Sequence, residues 1–266
     1  MKLVTKKYGN REAIRERWYR RRFLAPNLVT LGNLFCGFLG IIYASSFRYE
    51  KAAIAVGIAI LLDGLDGRVA RRLNATSKFG VEFDSFSDFL SFGLAPAFLL
   101  YHWGLVSIAD EFGVFVTFLY AICAATRLAR FNVSDDNPKA FTGLPTPGAA
   151  GLIAAVVFVF PQTFNSEITS VVASVLAVSL GGLMVSRLRF LSLKKFQLSD
   201  MPLPATVLIG GFIALTWYHP RPALLSLALL YVCSGPLGVL YRWLYRKSDS
   251  EKAEPGENRG TKSSKA

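Results

Sequence analysis

Long apolar blocks, each close to the length of a membrane span, follow one another along almost the whole chain. They run near 27–47, 52–72, 80–102, 112–131, 147–164, 168–186, 203–218 and 222–244. About 20 mostly apolar residues in a helix cross roughly 30 Å of hydrocarbon. Inside a bilayer every backbone N–H and C=O must find its partner within the span or a closed barrel. The blocks therefore predict an all-α, polytopic membrane bundle of about eight transmembrane helices. Composition agrees: 52% of the 266 residues are hydrophobic and 18% are charged, against about a quarter charged in soluble domains. This pattern excludes a soluble enzyme, a disordered chain and a nucleic-acid-binding module.

The net charge of +12 is placed at the edges of the oily region rather than on one face. Residues 1–22 hold nine Lys/Arg against two Glu. Basic links recur at 68–78 (Arg68, Arg71, Arg72, Lys78), at 187–195 and at Arg242–Lys247. The links near 103–111 and 161–167 carry acids without a basic residue (Asp110, Glu111, Glu167). By the positive-inside tendency the basic side is cytoplasmic, and an even span count puts both termini there. The expected location is a cell (plasma or inner) membrane. Residues 11–22 (REAIRERWYRRR) mix Arg with Ile14, Trp18 and Tyr19, as a basic flank or an N-terminal interfacial helix would. The predicted organisation is a basic juxtamembrane segment over 1–24, a membrane domain over 25–246 and a disordered polar tail over 247–266. Cys36, Cys123 and Cys233 stand alone within apolar blocks, which suits neither a disulfide framework nor a zinc site. His102 and His219 fall at the face opposite the basic links, and Trp103, Trp217 and Trp243 are placed as an interfacial aromatic belt.

Four aspartates stand where lipid-exposed helices avoid them: Asp63, Asp66, Asp84 and Asp88. A carboxylate in a membrane segment is costly, faces a polar cavity and marks function. Helical spacing puts Asp63, Asp66 and Ala70 on one face, while Gly80, Asp84 and Asp88 recur at i, i+4 and i+8 on the next helix. A short basic turn between the two helices would bring these faces together. Four like charges share a small site only when cations neutralise them. Hard oxygen donors without His or Cys suit Mg²⁺, Mn²⁺ or Ca²⁺, and a pair of such ions is the usual clamp for displacement at phosphorus. Gly67 would admit a ligand close to the backbone, and Arg71 offers a fork for phosphate.

The string Asp63-x2-Asp66-Gly67-x2-Ala70-Arg71-x8-Gly80-x3-Asp84-x3-Asp88 resembles in full the signature of the CDP-alcohol phosphatidyltransferases. The resemblance implies a membrane enzyme with its site at the cytosolic end of the bundle. It implies two divalent cations, Mg²⁺ or Mn²⁺, held by Asp63, Asp66 and Asp84 with help from Asp88, and Asp88 as proton acceptor. It further implies CDP-diacylglycerol contacts from Gly67, Ala70, Arg71, Ser77 and Gly80 and from Pro26, Asn27, Leu28 and Val29. A homodimer is also implied.

The runs FDSFSDFLSFGLAPA (83–97), RLARFN (127–132) and GLPTPGAA (143–150) resemble the integral-membrane phosphatidylserine synthase branch. Members making phosphatidylglycerophosphate typically carry a basic residue after the last aspartate, where this chain has Phe89. The resemblance thus implies L-serine as acceptor and CMP as the second product. Glycerol 3-phosphate or an inositol acceptor are the alternatives within the family. Arg127 and Arg130, with Ser85 and Ser91, are candidates for holding the serine carboxylate or a lipid phosphate. A positive-inside anchor for the arginines and helix packing for the serines are the competing uses. A cation transporter is the rival of another class, but its carboxylates would lie near the midplane, often in repeated halves. Here they occur once, beside a basic turn.

Overall fold

A computed structural model of the chain describes residues 26–73, 77–106, 110–133, 143–162, 166–188, 190 and 218–252. Within them all regular structure is helical. The helices are α1 (Pro26–Ser45), α2 (Tyr49–Leu73), α3 (Lys78–Asp88), α4 (Ala95–Leu100), α5 (Asp110–Val133), α6 (Thr146–Val159), α7 (Ser166–Val185) and α8 (Pro220–Lys252). Two π-helical segments, Phe89–Leu94 and Tyr101–Leu105, join α3 and α4 into one rod and extend it.

Residue size sorts the faces. On α1, Leu28, Leu31, Phe35, Phe38 and Ile42 point outward, while Thr30, Asn33, Gly37, Gly40 and Ala44 are buried. Both sets step by three and four, as two opposite stripes of one helix must. On α7, Ile168, Val171, Val175 and Val178 face out and Ala173, Ala177 and Leu180 face in. Lipid solvates large apolar side chains well, so the bundle gains from close backbone approach, which small residues permit. Alanines from α2, α4, α6 and α7 accordingly dominate the core.

Among the described residues, four helices are long and apolar enough to cross a membrane: α1, Glu111–Val133, Glu167–Val185 and Pro220–Gly238. The chain is a helical membrane protein. Of the other predicted blocks, α2 carries charges at both ends, the third is the interrupted rod, and α6 has 14 residues. The predicted 203–218 span and the N-terminal interfacial helix lie outside the described residues. α8 runs on through Lys252, past the boundary at 246 drawn from composition. The polar stretch there contains no glycine or proline, so nothing in it breaks a helix already under way.

At the end away from the aspartates, Tyr49 Oη donates to the His102 carbonyl (2.6 Å) and Arg221 pairs with Glu50 (2.8 Å). Trp103, placed by sequence in an interfacial belt, is instead only 5% exposed, with its Nε1 donating to the Phe160 carbonyl at 2.9 Å. A buried indole needs such an acceptor, and the frayed end of α6 supplies it.

The tightest helix contact sits beside the aspartates. A Cβ built on Gly37 would fall on Ser91 Oγ and 2.7 Å from Ser91 Cα. Ser91 Oγ donates to the Asn33 carbonyl (3.0 Å) and Ser87 Oγ to the Thr30 carbonyl (3.2 Å), so two serines fasten α1 to the rod. Gly37→Ala should cost about 1–3 kcal/mol through overpacking. Thermal unfolding in detergent should show a lower midpoint than wild type. Gly57→Ala is the control, since a Cβ there meets nothing within 4 Å and should leave the midpoint unchanged or raise it.

Candidate active site

The site is assembled at the junction of α1, α2 and α3. Ser77 caps α3, its Oγ accepting from the Gly80 N–H at 3.0 Å, which meets one of the helix's otherwise unpaired donors. A Cβ on Gly80 would lie 3.1 Å from Ser77 Oγ and 3.4 Å from Asn27 Oδ1, so the start of α1 rests on the first turn of α3. Pro26 is buried, Val29 is half-buried and Leu28 is 69% exposed on the outer face. Asn27, Ser77 and Gly80 thus come together, whereas Leu28 points away from them. Gly67 is exposed, and a Cβ there would meet only open space. The side chains of Ala70 and Arg71 lie outside the described residues.

One carboxylate oxygen each from Asp63, Asp66 and Asp84 lies within 4.8 Å of the others. Asp66 is 5% exposed, and Asp63 and Asp84 are half-buried. Asp84 Oδ1 is buried and has no hydrogen-bond partner among the described residues. Converging hard oxygens, one of them unpartnered, fit a hard divalent cation, and no His or Cys intrudes on the group. Asp88 sits beside this trio, within hydrogen-bonding reach of Asp63. Directly after it the backbone turns π-helical, a feature that recurs at functional sites.

Two residues absent from the sequence reading complete the arrangement. Thr30 Oγ1 lies 3.3 Å from Asp66 Oδ2 and 3.2 Å from the Pro26 carbonyl. Asn33 Nδ2 donates to Asp88 Oδ1 at 3.4 Å. The signal for them was present, since a hydroxyl and an amide three residues apart inside an apolar span also seek a polar partner. The aspartates drew that argument first because charge makes it stronger.

The outlying candidates separate. Ser85 and Asn132 pair reciprocally, Asn132 Nδ2 donating at 2.9 Å, and this ties the residue after Asp84 to the end of α5. Arg130 donates to the Val185 carbonyl at 3.2 Å, closing the end of α7. Arg127 is half-buried, its Nη1 2.9 Å from where a Gly143 Cβ would stand. Gly143 has φ of +90°, and its Cβ would also strike the Met184 carbonyl, so glycine is required at this turn into α6. Ser91 is fully buried with its hydroxyl on the Asn33 carbonyl. Of its two candidate uses, the structure shows helix packing.

Comparison with known proteins bears on this geometry. A sequence model of the CDP-alcohol phosphatidyltransferases matches residues 23–183. The chain belongs to the CDP-alcohol phosphatidyltransferase family. The match runs from before α1 to within the last turn of α7 and contains all four aspartates, Thr30 and Asn33. Among relatives, the CDP-diacylglycerol–serine O-phosphatidyltransferase of Helicobacter pylori (strain 26695) is 38% identical over 226 residues, covering 84% of this chain and 92% of its own. The Bacillus subtilis protein of that name is 33% identical over 176 residues, 66% of this chain and 94% of its own. The archaetidylserine synthase of Methanothermobacter thermautotrophicus is 35% identical over 170 residues, 62% and 68% of the two chains.

In this family setting the open face at Gly67 makes a clean probe. Alanine there should leave stability unchanged or raise it by up to about 1 kcal/mol, because glycine is the poorer helix former. If the CDP-lipid lies over this face, Gly67→Ala should raise its KM by about tenfold or more. Kinetics and thermal unfolding on the same preparation check both halves. A lower unfolding midpoint would make Gly67 structural.

Proposed function

We propose that this protein transfers the phosphatidyl group of CDP-diacylglycerol to the hydroxyl of L-serine, giving phosphatidylserine and CMP. The observation that carries the proposal is the convergence of Asp63, Asp66 and Asp84, with Asp88 alongside, in a chain whose relatives are named for this transfer. The seryl oxygen forms a bond to the lipid-side phosphorus as the bond from that phosphorus to the CMP oxygen breaks. Asp88 takes the hydroxyl proton, acting as general base. Attack is direct and in line, with no covalent phosphatidyl-enzyme.

Asp63, Asp66 and Asp84, with Asp88, would hold two divalent cations, Mg²⁺ or Mn²⁺. Bound there, such ions supply charge neutralisation at the diphosphate and on the departing CMP phosphate. Asn27, Ser77 and Gly80, gathered at the head of α3, contact the CDP-lipid, together with Pro26, Leu28, Val29, Gly67, Ala70 and Arg71. The Ser77 oxygen already accepts from Gly80 N–H, which leaves its hydroxyl proton for a phosphate oxygen. Arg127, Arg130 and Ser85 hold the serine carboxylate or a lipid phosphate. Phe89 follows Asp88, and its ring packs where a Gly93 Cβ would be (2.9 Å), so no cation stands there for a phosphorylated acceptor. In this proposal the active site and both termini lie on the cytoplasmic side of a plasma or inner membrane, as the basic links favour. The homodimer implied by the family belongs to the same proposal.

Purified protein with labelled CDP-diacylglycerol and a panel of serine, glycerol 3-phosphate and inositol phosphate tests this directly. Serine should give phosphatidylserine and CMP in the presence of Mg²⁺ or Mn²⁺, and excess chelator should abolish turnover. Asp88→Asn should lower kcat by about 10²–10⁴, the usual cost of a lost general base. Comparable product from glycerol 3-phosphate would contradict serine as the acceptor. Turnover in excess chelator would contradict the metal site.

A further inference from the structure

Asn33 sits in the middle of the first membrane helix and is 0% exposed. Its Nδ2 donates to Asp88 Oδ1 across 3.4 Å, and its own Oδ1 is buried with no hydrogen-bond partner among the described residues. Its backbone is fixed as well: Ser91, three residues past Asp88, donates to the Asn33 carbonyl at 3.0 Å. One turn further along α1, Gly37 lets the two backbones touch. Main chain and side chain of Asn33 are therefore both tied to the segment that carries Asp88. A leucine, with the same branched four-atom side-chain skeleton, would place apolar groups here without a buried, half-satisfied amide. Packing alone therefore does not account for asparagine here. The neighbouring Thr30 hydroxyl shares its one proton between Asp66 Oδ2 and the Pro26 carbonyl, so α1 brings a polar group to each of two carboxylates.

We propose that Asn33 is a positioning residue for Asp88. Its amide N–H holds one carboxylate oxygen, fixes the side-chain rotamer and leaves the other oxygen to receive the acceptor's proton. This inference rests on Asp88 acting as the base, and the test keeps the two ideas apart.

The experiment compares wild type, Asn33→Leu, Asp88→Asn and the double variant in detergent with saturating Mn²⁺, serine and CDP-diacylglycerol. A misplaced catalytic group can cost about 10² in rate, so Asn33→Leu should lower kcat between tenfold and a hundredfold. Its CDP-diacylglycerol KM should stay within about twofold of wild type, since only the transition-state interaction is lost. Its unfolding midpoint should not fall, which a merely structural role would not allow. In the double variant the leucine should add nothing to the Asp88→Asn loss, as expected when one residue acts through the other. Should the leucine variant fail to fold, Asn33→Ala removes the donor without adding bulk or charge and should show the same loss of kcat. Wild-type kcat in either folded Asn33 variant, or an equal further loss on the Asp88→Asn background, overturns the proposal. Near-wild-type turnover by Asp88→Asn would instead remove Asp88 as the base, and with it the ground for assigning Asn33.

Discussion

Mutual repulsion among buried and half-buried carboxylates is the constraint around which this molecule is organised. Asp63, Asp66 and Asp84 bring oxygens within 4.8 Å of one another, and Asp88 stands against Asp63. In a medium less polar than water such charges interact far more strongly than they would at a surface. The chain offsets this in part with neutral donors on α1, Thr30 to Asp66 and Asn33 to Asp88. It leaves Asp84 Oδ1 without any partner among the described residues. Among the described side chains the balance is incomplete, which fits a site that takes up positive charge.

Everything around that cluster serves to hold the three helices in register. Among the described residues the ion pair Arg221–Glu50 lies at the other end of α2. The work falls to close approach: glycine against serine where α1 meets the rod, and serine hydroxyls on α1 carbonyls. Tyr120 Oη adds a bond to the Phe92 carbonyl (3.1 Å) within the π-helical turn, where i→i+4 pairing is given up. Large apolar residues face outward because lipid accepts them, which reserves the interior for small and polar ones. The same sorting that makes the protein a membrane bundle therefore makes room for an active site inside it.

How much of this was legible from sequence follows from the range of each effect. The helical character and the pairing of Asp63/Asp66 with Asp84/Asp88 are local matters of spacing, and they were readable because a charge in an apolar helix is costly wherever it stands. The partners on α1 were not found, since Asn33 and Asp88 are 55 residues apart and Thr30 and Asp66 are 36 apart. An asparagine in an oily helix signals a missing polar partner without saying which one. The π-helical turn after Asp88 was also hidden, because hydropathy does not distinguish i→i+5 from i→i+4 pairing. Trp103 misled for a related reason: its position near a span end suggested an interface, but the Phe160 carbonyl captures it inside.

The central claim is that the gathered aspartates form a metal site, and metal binding measures it without reference to turnover. Purified protein in detergent would be titrated with Mn²⁺ while the free-ion spin-resonance signal is followed, for wild type, Asp63→Asn and Asp84→Asn. Wild type should take up two ions per chain. Each variant should keep its helical circular dichroism but bind at least about tenfold more weakly, since loss of even an outer-shell partner costs that much. Wild-type Mn²⁺ binding in both folded variants would contradict the account.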